Sequence, residues 1–327
     1  MNSTQQAIKQ AIMQAQTILV VTHIGPDGDA IGSLTAVGNA LARLGKQVTM
    51  ACDDNVPSRF RFLPLTDKVQ RETSPSDTFD LMIALDCGDE SRMGRSFSEL
   101  TEKPFLINID HHITNTNFGQ INLVDAEATS TTEILYELFV AIDIEVTADI
   151  AFSLLTGLVT DTLGFRIVGV TPRTMKIASA LMDAGADLST VTMLALNLKP
   201  FSTIRLWQLG LNNLKMDSGL VWSSLSYKAQ QAIDFNSPSS GGLVNMLANI
   251  EEAAMSAVLL EQSDGSVRVG FRCRPPYNVA EIALNLGGGG HPLAAGCSLD
   301  GPLAKAESLV VDMCRDAIAQ HEGNSYQ

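Results

Sequence analysis

The chain has 327 residues and a formal net charge of −14, a size that predicts two domains rather than one core. An acidic balance without a basic stripe argues against a protein that tracks long nucleic acid, because such binding needs lysines and arginines to displace counterions along many phosphates. No apolar run reaches the roughly 18 residues of a transmembrane helix, and five cysteines without CxxC spacing predict reduced thiols, so a cytoplasmic protein is expected.

The N-terminal MNSTQQAIKQAIMQAQ lacks the basic start and apolar core of a signal peptide and reads as a polar-faced helix. A buried strand follows in TILVV, and directly after it THIGPDGDAIGS packs together His23, Asp27 and Asp29. Turns at the carboxyl ends of such strands are where open α/β sheets hold ligands. Two further apolar runs repeat the arrangement: LMIALD ends in Asp86, and FLINID ends in Asp110, with His111 and His112 next. Thr129 to Thr132, in EATSTTE, precede the helical run EILYELFVAI as caps or as substrate contacts. Asp161 lies in LLTGLVTDTLGF, on an apolar segment read as helix. This alternation continues to about Asp187 and predicts an α/β domain over 1–188, with a mostly parallel sheet flanked by helices.

A linker is expected over 189–214, with Pro200 at a helix start, and a smaller α/β domain over 215–327 with a hairpin at Ser263 to Gly265. There SVRVGFRCRPP alternates Val267, Val269 and Phe271 with Arg268 and Arg272, as a half-buried strand does. Arg272 and Arg274 precede LGGGGHPLAAG, and their planar forks of donors suit phosphate. Gly289, Gly290 and His291 offer backbone N–H groups and an imidazole to the same anion. A solvated strand face and a flexible turn are the plainer readings of these two segments. The substrate cleft is expected between the two domains.

Taken singly the acidic residues say little, since an aspartate after a strand is usually an N-cap or turn residue. Together Asp27, Asp29, Asp86 and Asp161 would repel one another in one pocket unless positive charge sat between them. Divalent cations supply that charge, and with the histidines there are ligands for two ions. Mixed imidazole and carboxylate ligands suit manganese, iron or zinc better than magnesium, and manganese is the first choice. Two such ions, roughly 3.5–4 Å apart, clamp an in-line displacement at phosphorus and acidify a water. Phosphate ester hydrolysis is the expected reaction, on short oligonucleotides or mononucleotides rather than duplex DNA.

THIGPDGDAIGS, ALDCGD, IDHH and GLVTDT resemble, in order, the four motifs of the DHH phosphoesterases, and GGGGHPLAAG resembles the signature of their C-terminal DHH-associated domain. The chain is most similar to the compact bacterial branch that degrades very short RNAs and dephosphorylates 3'-phosphoadenosine 5'-phosphate, rather than to the longer RecJ exonucleases. The resemblance implies one ion on His23, Asp27 and Asp86 and another on Asp29, Asp86, His111 and Asp161, with Asp86 bridging. It implies that Asp110 orients an imidazole and that His112 faces the scissile phosphate as a transition-state stabiliser. A general-acid role and a structural hydrogen bond remain open for His112. For substrate binding it favours Arg272 over Arg268. Short single-stranded RNA or nucleotide bisphosphates are the implied partners, together with a homodimer. The alternative activity is a phosphodiesterase for cyclic dinucleotides or linear pApA, and a third reading is a non-enzymatic nucleotide sensor. The GGGGH run counts against a type II pyrophosphatase.

Overall fold

The computed structural model describes residues 1–235, 237 and 239–324. In chain order its first half runs α1 (Ser3–Gln14), β1 (Thr17–Thr22), α2 (Gly28–Arg43), β2 (Gln47–Ala51), β3 (Leu81–Leu85), α3 (Arg95–Ser98), β4 (Phe105–Asp110) and β5 (Ile121–Val124). Four helices follow, α4 (Thr131–Ala141), α5 (Ala148–Asp161), α6 (Pro172–Asp183) and α7 (Leu188–Val191). Local chemistry sets several of these boundaries. Asn2 and Gln5 close a capping box on α1, Asp27 caps α2, Ser130 caps α4, and Pro172 opens α6.

The five strands form one parallel sheet in the order β2-β1-β3-β4-β5. Their apolar runs are continuous because both faces are covered. Ile18, Val20, Ile83, Leu85, Ile107 and Ile109 pack on one face with Leu34 and Leu41 of α2 and Leu154 and Leu158 of α5. Leu19, Val21, Met82 and Ala84 face the other way, under Met93, Phe97 and Leu100. The bulk of the helices thus lies on one face, and α3 with its neighbouring turn covers the other. Register then does the positioning: Thr22 pairs with Leu85 and Leu85 with Ile109, so the carboxyl ends of β1, β3 and β4 stand level, side by side.

The chain divides into two units, Met1–Leu198 and Lys199–Gln327. Residues 189–214, expected as a linker, fall on both sides of that division. A π-type turn over Thr192–Asn197 extends α7 in the first unit, while α8 (Phe201–Asn212), preceded by Pro200, buries Leu206 in the second.

The second unit is a six-stranded sheet, β10-β11-β9-β8-β7-β6, antiparallel except between β7 and β8. Its strands are β6 (Lys215–Asp217), β7 (Leu220–Leu225), β8 (Met255–Glu261), β9 (Val267–Cys273), β10 (Gly289–His291) and β11 (Ala294–Leu299). The helices are α9 (Tyr227–Gln231), α10 (Leu243–Leu247), α11 (Val279–Asn285) and α12 (Leu303–Asn324). Phe271, Leu259 and Trp222 pack with Ile282 of α11 and Val310 of α12 on one face, and Val221, Val258 and Leu260 pack with Leu206 and Leu243 on the other. The expected turn after Ser263 joins β8 to β9, closed by the Gln262 amide donating to the Ser266 carbonyl at 2.8 Å. Among the described residues, no helix is long and apolar enough to cross a membrane.

Candidate metal centre

The level strand ends deliver His23 after β1, Asp86 after β3, and Asp110, His111 and His112 at the end of β4. Asp86 takes φ 59°, a left-handed backbone that non-glycine residues adopt rarely and that concentrates at functional sites. From the helical side, the start of α2 supplies Asp27 and Asp29, and the last residue of α5 is Asp161. These two helices approach closely because small residues line their contact. A Cβ on Gly157 of α5 would lie 2.6 Å from Oδ1 of Asp29 and 2.4 Å from Cγ2 of Thr132.

Three overlapping groups result, each with ligand atoms mutually within 4.8 Å: His23, Asp27 and Asp86; Asp29, His111 and Asp161; and Asp86, His111 and His112. Nε2 of His23 lies 3.4 Å from Asp86 and 3.9 Å from Asp27, and Nε2 of His111 lies 3.6 Å from Asp86 and 3.3 Å from Asp161. Such spacings exceed an ordinary N–H···O bond of about 2.7–3.2 Å. They suit donor atoms that converge on a cation. The tautomer of His23 fits the same reading. Its Nδ1 lies 2.9 Å from the Ile24 carbonyl and 3.2 Å from Arg92 Nη2; the tautomer protonated at Nδ1, which donates to that carbonyl, is the one that turns an Nε2 lone pair to the two carboxylates. Asp27 serves as helix cap as well, since its Oδ1 accepts from the amides of Asp29 and Ala30. The acid-rich donor set therefore fits a divalent metal.

Electrostatics point the same way. Burial pushes Asp29 well above the usual carboxylate range, and the charges of Asp86 and Asp27 add to this against the hydrogen bonds from Thr132 and Thr131. Asp161 is likewise driven well up, by desolvation and then by Asp29, Asp27 and Asp86. Burial also acts on Asp86, but the His23 hydrogen bond and the charges of His23, His111 and His112 outweigh it and bring the carboxyl to about 2. A hydrogen bond to Asp110, at 2.7 Å from His112 Nδ1, prevails over burial and raises that imidazole to about 9. Asp110 is itself held by Asn115, whose Nδ2 donates to it at 2.6 Å.

Several of these supports escaped sequence reasoning. The hydroxyl cluster at the start of α4 clamps carboxylates: the Thr131 amide donates to Asp29 at 2.6 Å, and its hydroxyl to Asp86 at 3.1 Å. Thr132 donates to Asp29 from its amide at 3.1 Å and its hydroxyl at 2.8 Å. Asn115, four residues after His111, and Gly157, four before Asp161, carried a signal only in their closeness to the motifs.

In the second unit the predicted substrate residues separate into two kinds. Arg272 is half-buried on β9, and desolvation lowers its guanidinium pKa. Its Nη1 donates to the Phe271 carbonyl at 2.7 Å, and it has no carboxylate partner among the described residues. Arg274 instead donates to the carbonyls of Glu251, Ala248 and Ile250, closing the chain after α10. Gly289, Gly290 and His291 are exposed on β10, which pairs with β11. Gly290, at φ 142°, also allows the close strand approach, since a Cβ there would lie 2.6 Å from the Ala294 carbonyl oxygen. The glycine run thus serves strand packing as well as exposure.

Comparison with known proteins agrees with this geometry. The DHH family, N-terminal domain, matches residues 17–158, and the DHHA1 domain matches residues 224–320. A Thermus thermophilus protein named bifunctional oligoribonuclease and PAP phosphatase NrnA is 34% identical over 307 residues, covering 93% of this chain and 90% of its own. A Mycoplasma pneumoniae protein of the same name is 26% identical over 94% of this chain and 95% of its own. The crystal structure of an exopolyphosphatase-related protein from Bacteroides fragilis shares the fold, with a TM-score of 0.88 and 23% identity over 99% of this chain and 98% of that one. The chain therefore belongs to the DHH family, with a DHHA1 domain following its DHH domain.

Proposed function

We propose that this protein is a phosphohydrolase that uses two divalent ions, manganese by preference, to degrade very short oligoribonucleotides to mononucleotides and to remove the 3'-phosphate of 3'-phosphoadenosine 5'-phosphate. The observation that carries the reading is the convergence of His23, His111, Asp27, Asp29 and Asp161 around Asp86. The name of the Thermus relative, which this chain matches over 93% of its length, supports the substrate class.

In this reading His23, Asp27 and Asp86 hold one ion and Asp29, Asp86, His111 and Asp161 the other. Bound there, the ions supply positive charge to phosphate oxygens and acidify water. The protein's own groups do the rest. Asp110 fixes the His112 ring through Nδ1, leaving Nε2 as the nitrogen available to a phosphate oxygen. Arg272, a desolvated cation without an acidic partner among the described residues, binds a substrate phosphate with Gly289, Gly290 and His291. Arg274 supports that region through its carbonyl contacts. The five cysteines, all free and buried, suit a reducing cytoplasm.

Product analysis with Mn2+ tests this on four substrates: a pentaribonucleotide, an RNA of about two dozen nucleotides, phosphoadenosine phosphate and linear diadenylate. Mononucleotides released fastest from the short RNA, with phosphate from phosphoadenosine phosphate, are expected. Cleavage of diadenylate alone would move the assignment to dinucleotide turnover, and no cleavage at all would end the enzymatic reading.

A further inference from the structure

An ionic chain runs from the half-exposed Arg173 of α6 to the buried Glu133 at the start of α4, beside the acids of the metal centre. Arg173 donates from Nε and Nη2 to the two oxygens of Glu137, each at 2.7 Å, and from Nη1 to Asp125 at 2.8 Å. Its Nε also lies 3.4 Å from Oε1 of Glu133. Glu133 is 1% exposed, and an acid remains in an interior only when charge and hydrogen bonds compensate it. Its Oε2 accepts from the Thr129 amide at 3.0 Å, the Thr129 hydroxyl at 2.5 Å and the Thr174 hydroxyl at 3.3 Å. With Thr129 fixed, the next residues turn into α4, and Thr131 and Thr132 reach Asp29 and Asp86.

Helix capping alone does not require this arrangement. Ser130 already caps α4, accepting from the Glu133 amide at 3.1 Å, and a neutral side chain at 133 would leave that bond in place. The carboxylate of Glu133 acts instead on the backbone before the cap, where its charge is balanced from α6.

We propose that Glu133, held by Arg173, is a positioning residue that keeps Thr131 and Thr132 in register with Asp29 and Asp86 and thereby sets the affinity of the centre for divalent cations. This rests on the metal reading above, and the two fail differently. Titration calorimetry of the full-length protein with Mn2+, well below the melting temperature of every variant, compares wild type with Glu133→Gln and Arg173→Met. Each substitution is expected to weaken Mn2+ binding at least about tenfold, the lower range for residues that orient metal ligands. Excess Mn2+ should then restore kcat, with KM little changed. If Glu133→Gln folds poorly, Glu133→Asp retains the charge one methylene short and should give an intermediate affinity. A lower melting temperature with wild-type Mn2+ affinity would reduce Glu133 to a stabilising residue and overturn the inference while leaving the proposed function standing. A wild-type protein that binds no Mn2+ overturns both.

Discussion

Thr132 and Asp29, 103 residues apart in sequence, meet through two hydrogen bonds on a single carboxylate oxygen, at 3.1 Å from the amide and 2.8 Å from the hydroxyl. Asp29 is fully buried, so these donors, with the Thr131 amide on its other oxygen, decide which way the carboxylate faces. Thr132→Val keeps the shape and removes the hydroxyl. It is expected to weaken Mn2+ binding about tenfold, as loss of a ligand-orienting bond commonly does, and Thr132→Ser should recover most of it. Unchanged affinity in the Val variant, read by calorimetry, would dismiss the hydroxyl from the site.

Gly157 is where α5 lets the acid of α2 in. A methyl there would stand 2.6 Å from Oδ1 of Asp29, far inside contact distance. Gly157→Ala should therefore lower stability by about 1–3 kcal/mol, the usual cost of overpacking, and should reduce Mn2+ binding at the same time. Thermal melting and calorimetry on one preparation test both; loss of stability with intact metal binding would mean that α5, not Asp29, had yielded.

The parallel sheet was legible because TILVV, LMIALD and FLINID are uninterrupted apolar runs, the pattern of strands buried on both faces. Strand ends carry no side-chain ambiguity, so His23, Asp86 and Asp110 could be placed together from periodicity alone. Thr131, Thr132 and Glu133 could not. A threonine before a helix reads as a cap, and nothing local reveals that its donors reach an acid more than 100 residues away. Arg274 was illegible for a related reason: a guanidinium beside a glycine run suits phosphate in sequence, and its use by the carbonyls after α10 depends on tertiary contact.

Asp161 should show opposite effects on stability and binding. Desolvation and the neighbouring aspartates drive its carboxyl well up, so its ionised form weakens the metal-free fold at neutral pH. Asp161→Asn is expected to raise the melting temperature in EDTA, by about 2–4 °C per kcal/mol in a unit of this size. Mn2+ at about a hundred times its Kd should stabilise wild type by about 2.7 kcal/mol and the variant by less. A variant that melts lower in EDTA yet keeps the full Mn2+ gain contradicts a ligand role.

Asp110 lies outside the three ligand groups and touches His112 instead. Asp110→Asn should leave Mn2+ affinity within a few-fold of wild type. It should lower kcat by about a hundredfold, the smaller end of the range for a positioned proton-transfer or charge-stabilising group. Loss of Mn2+ binding would place Asp110 among the ligands, and unchanged kcat would remove His112 from the chemistry.

Arg272 and Arg274, two residues apart on the same chain segment, should respond to alanine in contrary ways. The Arg272 guanidinium is desolvated without an acidic partner among the described residues, so its removal costs the free protein little. Its loss should appear in KM, because a hydrogen bond from a charged group contributes roughly 1.5–3 kcal/mol, which is about tenfold or more in binding. Arg274 donates to three backbone carbonyls after α10, and those acceptors lose their partner when it is truncated. Arg274→Ala should therefore lower the melting temperature and leave KM near wild type once the protein is folded. Melting curves and KM for the short RNA, measured on both variants, separate the roles; a raised KM for Arg274→Ala at unchanged stability would return Arg274 to the phosphate site.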